Sequence, residues 1–198
     1  MRKILPYDAL TMPKEAKCVF KGEIFSVYQW QQVLFDGSTT VFEMLKRPDT
    51  VIAVTIKNNK VVLINERNPG YPSMFHFPGG RVKPGDDSWT AAVQREIREE
   101  TGMSFRNWRL IHVSQPATKI EWFVAWYLAT DLSEEQSQSL DGGEEVEVIL
   151  EPIDNAVRRV YNTNKIEAKY IPEVVLNSRT IEELLNAPEF IGDTVELE

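Results

Sequence analysis

The apolar positions of this chain follow two spacings, one of two residues and one of three to four. Residues 18–46 hold two β-rich runs joined at Asp36-Gly37, a pair suited to the positive φ angles of a tight turn, which predicts an N-terminal hairpin. Residues 50–67, TVIAVTIKNNKVVLINER, predict a second hairpin turning at Asn58 and Asn59. Its Val/Ile runs are almost unbroken, as in a sheet covered on both faces.

From Tyr71 to Gly85 the chain is rich in Gly and Pro, and from about Ser88 to Thr101 it changes to a helical pattern. Asp86, Asp87 and Ser88 can each accept hydrogen bonds from the free amides at the helix start, and Gly102 suits the left-handed position past its end. Strands are then predicted in FRNWRLIHV, in IEWFVAWYLA, which is apolar on both faces except for Glu121, and in EVEVIL. After Pro152 the spacing is helical again, in IDNAVRRVY and PEVVLNS, and Thr180 with Glu183 makes a capping box for TIEELLNA.

Composition adds bounds. With 198 residues, 42% of them apolar and 26% charged, the chain can build one packed core and is expected to be a single domain. Its 22 basic and 30 acidic residues sum to −8, a field that repels a phosphate backbone and excludes a nucleic acid polymer as partner. A small anionic substrate stays compatible, because bound cations reverse the field locally. Cys18 is the one cysteine, so no internal disulfide forms. The opening MRKILPYDAL lacks the apolar region of a signal peptide, and no segment approaches 18 apolar residues. The expectation is a cytoplasmic protein with no membrane partner.

The candidate chemistry lies on the predicted helix. Glu96 is three residues from Glu99 and four from Glu100, so the three carboxylates are neighbours on one face. Their repulsion is only partly offset by Arg95 and Arg98, and divalent cations would offset it better. A solvated acidic face has the same spacing. What favours a cation site is the Gly-rich loop leading straight into the helix, whose free carbonyls can add a ligand. An all-oxygen set suits Mg²⁺, with Mn²⁺ as substitute, over zinc, and the two histidines are not grouped.

The segment 79–103, GGRVKPGDDSWTAAVQREIREETGM, resembles the Nudix box, whose pattern is G, five residues, E, seven residues, then R-E-U-x-E-E-x-G-U, with U aliphatic. Arg95, Glu96, Ile97, Glu99, Glu100, Gly102 and Met103 fill every defined position of the second half. The resemblance implies that Glu96 and Glu100 are the chief metal ligands, that Glu99 assists them in binding and catalysis, that the Gly79 carbonyl adds a ligand, and that Arg95 orients the glutamates. The first half departs from the pattern: the first acid is Asp87, with one extra loop residue after Gly80, or Asp86, with one extra residue before Arg95. Asp87 is preferred, since an extra residue within a helix rotates its face.

The resemblance covers roughly residues 15–170 and implies an α/β fold, a Nudix-type α/β/α sandwich on a mixed sheet. Residues 1–48 would be an N-terminal strand and hairpin extension at a homodimer interface, and 49–198 the hydrolase domain with C-terminal helices. Within the family the chain is most similar to the ADP-ribose and nucleoside-diphosphate-sugar pyrophosphatases. That group splits the pyrophosphate of a nucleoside diphosphate linked to another moiety and releases a nucleoside monophosphate. The alternatives are a nucleoside triphosphate or dinucleoside polyphosphate hydrolase, or a non-catalytic nucleotide-binding module. By the same resemblance Glu144 and Glu145, in DGGEEVEV, are the candidates to activate water. Candidate substrate-binding residues are His76, Arg67, Phe75, Arg81 and Pro116. His76 stands where those enzymes often carry a glutamate, and it either meets a substrate phosphate or fills a strand position.

Overall fold

The computed structural model describes residues 2–165 and 167–196. The chain begins with β1 (Arg2–Leu5), β2 (Lys17–Lys21), β3 (Ser26–Val33) and β4 (Thr39–Lys46), continues through β5 (Thr50–Lys57), β6 (Lys60–Arg67), β7 (Met74–His76) and β8 (Gly79–Arg81), and reaches helix α1 (Trp89–Thr101). Then come β9 (Met103–Ser114), β10 (Ile120–Glu121), β11 (Val124–Glu135), β12 (Glu145–Glu151), α2 (Ile153–Thr163), a 3-10 turn (Glu167–Lys169), α3 (Glu173–Asn177), α4 (Ile181–Leu185) and β13 (Asp193–Glu196).

The central sheet runs β12-β6-β5-β11-β9, with β7 added to β6 and β8 to β5; β5 and β11 are parallel and the other pairs antiparallel, so the sheet is mixed. Its β5–β6 hairpin turns where expected, with Asn58 and Asn59 both at positive φ, 51° and 58°. Side chains alternate across each strand. Val51, Ala53 and Val62 face Trp89, Ala92, Val93 and Ile97 of α1, while Ile52, Val54, Val61 and Leu63 face Ile153, Ala156 and Val160 of α2 with Val175 and Leu184 behind them. Helices thus cover both faces of the sheet. Each of these buried Val, Leu or Ile side chains contributes roughly 1.5–3 kcal/mol, which is why the runs in β5 and β6 carry no polar alternation.

Two strand assignments and one turn change. The first N-terminal run breaks at Gly22, whose N–H meets the Phe25 carbonyl at 2.9 Å, so β2, β3 and β4 form a meander instead of one hairpin. At its tip only Gly37 has positive φ; Asp36 accepts from the Ser38 N–H (3.0 Å) and hydroxyl (2.6 Å), and the Leu34 N–H reaches the Ser38 carbonyl, giving a wider loop than a two-residue turn. The segment 120–129 splits after Glu121. That carboxylate is buried against Lys46 (2.7 Å) and the Met12 N–H (2.7 Å), which pulls β10 into the N-terminal sheet beside β4, while Val124 onward joins β5.

Both ends of the chain also close on the core. β1 pairs with β13, Leu5 is fully buried against the α1 side, and Lys3 bonds the buried Asp49 at 2.6 Å. At α4 the Thr180 hydroxyl accepts from the Glu183 N–H, but the Glu183 carboxylate returns to Arg179, one residue before the cap.

Candidate active site

Helix α1 starts where the Ser88 hydroxyl accepts from the Ala91 N–H and stops at Gly102, which is left-handed at φ 71°. Between those caps Glu96 and Glu100 lie buried and Glu99 half-buried, all facing β8. A Cβ on Gly80 would stand 2.6 Å from the Glu96 carboxyl carbon, so a larger residue here would displace that carboxylate. The Gly79 N–H donates to Glu100 at 2.8 Å, and a Cβ on Gly79 would meet the Val51 carbonyl at 2.2 Å. The paired glycines are therefore a cradle for the two carboxylates.

Arg95 supports the group from behind. One nitrogen donates to Glu96 (2.7 Å) and Glu99 (3.0 Å), two others to Asp86 (2.9 Å each), and a further bond reaches the Arg81 carbonyl. These partners, Asp86 first, hold its pKa above the ordinary value, so it stays a fixed cation. Asp86, not Asp87, is the acid that holds this arginine; Asp87 is exposed. The preference for Asp87 assumed that an extra residue before Arg95 would turn the helix face. Because Ser88 is the cap, that residue sits in the loop ahead of the helix and turns nothing.

A cavity of about 180 Å³ opens between Gly79–Gly80, the three helix glutamates and Glu66 on one side and a loop with Ser139, Asp141 and Glu144 on the other. The loop is tied to the end of α1: the Ser139 N–H donates to the Glu99 carbonyl, the Gln136 N–H to that of Gly102, and the Gln138 amide to that of Glu100. These are carbonyls a helix end otherwise leaves free. Lys83 lies between the two walls, 3.6 Å from Glu99 and 4.0 Å from Asp141.

Burial dominates the electrostatics. It pushes the Glu100 carboxyl up to about 8, against the pull of His76 and the Gly79 amide, and it also raises Glu96 and Glu144. Among the described residues no three His, Cys, Asp or Glu side chains are already closed around one point, since Arg95 and the Gly79 amide hold oxygens that a cation would draw upon. The all-oxygen donors, the glycine cradle and the raised acids fit a divalent cation of the Mg²⁺ or Mn²⁺ kind.

Of the other candidates, Arg81 borders the cavity, whereas Glu145 opens β12 opposite Arg67 and is ion-paired with it in a separate cleft. His76 occupies a strand position, half-buried between Glu66 (2.6 Å) and Glu167 (3.9 Å). Phe75 packs under the Arg159 guanidinium at 4.7 Å, and Pro116 lies in another cleft with His112 and Tyr170. Sequence reasoning missed Glu66, Lys83 and Asp141. The signal for Glu66 was present: it ends a Val/Ile strand on the face where an apolar residue is expected.

A mixed sheet between helices, with a glutamate helix set against paired glycines, is the framework of a hydrolase acting on phosphoric anhydrides. The family profile described as NUDIX domain matches residues 46–174; the chain belongs to that family and is a Nudix hydrolase. It is 28% identical over 160 residues to a methanol dehydrogenase activator of Bacillus methanolicus (76% of this chain, 85% of that one). It is 27% identical over 164 residues to an ADP-ribose pyrophosphatase of Bacillus subtilis strain 168 (80% and 86%). Its fold is similar to the crystal structure of an ADP compounds hydrolase, with TM-score 0.56, 20% identity and coverage of 92% and 93%. It is also similar to a NUDIX hydrolase from Nitrosomonas europaea, with TM-score 0.54, 20% identity and coverage of 73% and 92%.

Proposed function

We propose that the chain hydrolyses, with Mg²⁺ and with Mn²⁺ as substitute, the pyrophosphate bond of a nucleoside diphosphate linked to a further moiety, ADP-ribose or a nucleotide sugar, and releases a nucleoside monophosphate. The observation that carries this reading is the facing of Glu96, Glu99 and Glu100 on α1 by Glu144 from the opposite loop. The named ADP-ribose pyrophosphatase relative supports the substrate class.

Glu96, Glu100 and Glu99 would hold the cation, with Gly79 beside them. When bound, it neutralises charge on the pyrophosphate and acidifies a water. Arg95 keeps the three glutamates in place, and Arg81 at the rim meets substrate phosphate. Glu144, whose carboxyl is raised by burial and by Glu66 and Asp141, is the group suited to orient and deprotonate the attacking water.

The N-terminal sheet supports a homodimer: Val19, Phe20, Val33, Phe35 and Val41 are exposed on its strands and tip, apolar side chains that a second copy would cover. Among the described residues no helix is long and apolar enough to cross a membrane, and the proposed location is the cytoplasm.

The test is product analysis over a panel of nucleoside diphosphate conjugates, triphosphates and dinucleoside polyphosphates with Mg²⁺. Release of nucleoside monophosphate from ADP-ribose or a nucleotide sugar, lost in Glu100→Gln, is the expected result. Pyrophosphate released from triphosphates, or ligand binding without turnover, overturns it.

A further inference from the structure

Glu66 and His76 sit diagonally on antiparallel strands, where Ile64 pairs with His76 and Glu66 with Met74, so both side chains leave the same face. His76 Nε2 bonds Glu66 Oε2 at 2.6 Å, and the Asn68 amide donates to Oε1 at 2.6 Å. Both carboxylate oxygens are thus pinned while Glu66 borders the acidic cavity. On its far side His76 faces Glu167, which accepts from the Phe77 N–H at 3.1 Å and from Asn164 at 3.3 Å. Burial alone would lower the imidazole pKa, but the Glu66 bond and the charges of Glu167, Glu100 and Glu66 outweigh it and lift it to about 9.

We propose that Glu66 is a further anion of the cation site, acting one shell out through a metal-bound water, and that His76 is the positioning residue that sets it there. The inference rests on the cation-dependent reading of the cavity. With both oxygens already bonded, Glu66 keeps lone pairs to accept from such a water but little freedom to turn and ligate. His76 is to Glu66 what Arg95 is to Glu96 and Glu99: a fixed cation that stops an acid crowded by other acids from swinging into solvent.

The experiment titrates the full-length protein with Mn²⁺ and follows free Mn²⁺ by electron paramagnetic resonance. Wild type binds, Glu100→Gln binds more weakly, and Glu66→Gln weakens Mn²⁺ by about tenfold, as loss of an outer-shell partner does. His76→Gln gives a similar loss, and the double variant is no worse than either single one, because the two residues act as a unit. Asn68→Ala, which frees the other oxygen from the solvent side, gives a smaller loss and reports on positioning even if His76→Gln does not fold. Glu167→Gln, which removes the partner outside the cavity, lowers the melting temperature and leaves Mn²⁺ affinity within about twofold. Unchanged affinity in Glu66→Gln, with Glu100→Gln weakened, overturns this inference alone. Unchanged affinity in both His76→Gln and Asn68→Ala overturns the positioning role. A wild type that binds no Mn²⁺ overturns the functional reading as well.

Discussion

Two nitrogens of Arg95 reach the two oxygens of Asp86, each at 2.9 Å, and this pair links the loop after β8 to the middle of helix α1. Asp86 is almost fully covered, and the arginine beside it holds its carboxyl below the usual range. Removing it leaves a partly buried guanidinium short of its main partner. Asp86→Ala should cost about 2 kcal/mol in urea unfolding. Asp87→Ala, at an exposed neighbour with no such bond, should stay within about 0.5 kcal/mol. Equal losses would show that the arginine does not distinguish them.

The glycine cradle makes a sharper demand. A methyl on Gly80 would push into the Glu96 carboxylate at 2.6 Å, whereas one on Gly85 meets nothing within 4 Å. Moving a reacting group by about 1 Å can cost roughly a hundredfold in rate. Gly80→Ala should therefore lower kcat about a hundredfold with the fold retained by circular dichroism, and Gly85→Ala should be close to wild type. A Gly80→Ala enzyme of normal kcat would mean that Glu96 is free to shift without consequence.

His76 makes the stability of the metal-free protein depend on pH. Its folded pKa, raised to about 9 by Glu66 from β6, Glu167 from the 3-10 turn and Glu100 from α1, lies above the ordinary 6.5. The native state holds that proton more tightly, so the contribution is complete below about 6.5 and is lost as pH rises through about 9. Glu167, raised to about 7 by burial, has lost its own protonated-state contribution by then, and Glu100, raised to about 8, nearly so. Between pH 8 and 9, metal-free wild type should lose stability on the order of 1 kcal/mol in thermal melts, and His76→Gln should be flatter. A wild type that gains stability over that interval would refute a charged His76.

How far the sequence spoke depends on the distance over which each feature is decided. The Asn58-Asn59 turn, the Ser88 and Gly102 caps and the face shared by Glu96, Glu99 and Glu100 are local, set within a few residues, and were legible. Asp86 against Asp87 turned on where the cap falls, which only the packed helix decides. Glu121 looked like a lone acid inside an apolar strand because its partners, Lys46 and the Met12 amide, are remote in sequence. The Glu66–His76 pair was hidden for the same reason: Glu66 stands out as an acid among apolar strand positions, but its bond to His76 exists only once β7 folds back on β6.

Glu144 and Glu145 were equal candidates in sequence, and what separates them is where β12 begins. Glu145 opens β12 and is spent on Arg67, while Glu144, one residue earlier, borders the cavity with its carboxyl raised. Glu144→Gln should lower kcat by about 10²–10⁴, the loss expected for a general base, while Mn²⁺ affinity changes far less than in Glu100→Gln. Glu145→Gln breaks an exposed ion pair and should leave kcat near wild type, with about 0–1 kcal/mol lost in stability. The outcome to watch is the pH profile of kcat: a general base at Glu144 places an acidic limb in wild type that Glu144→Gln lacks. If Glu145→Gln loses that limb and Glu144→Gln keeps it, the loop must rearrange on binding substrate, and the assignment reverses.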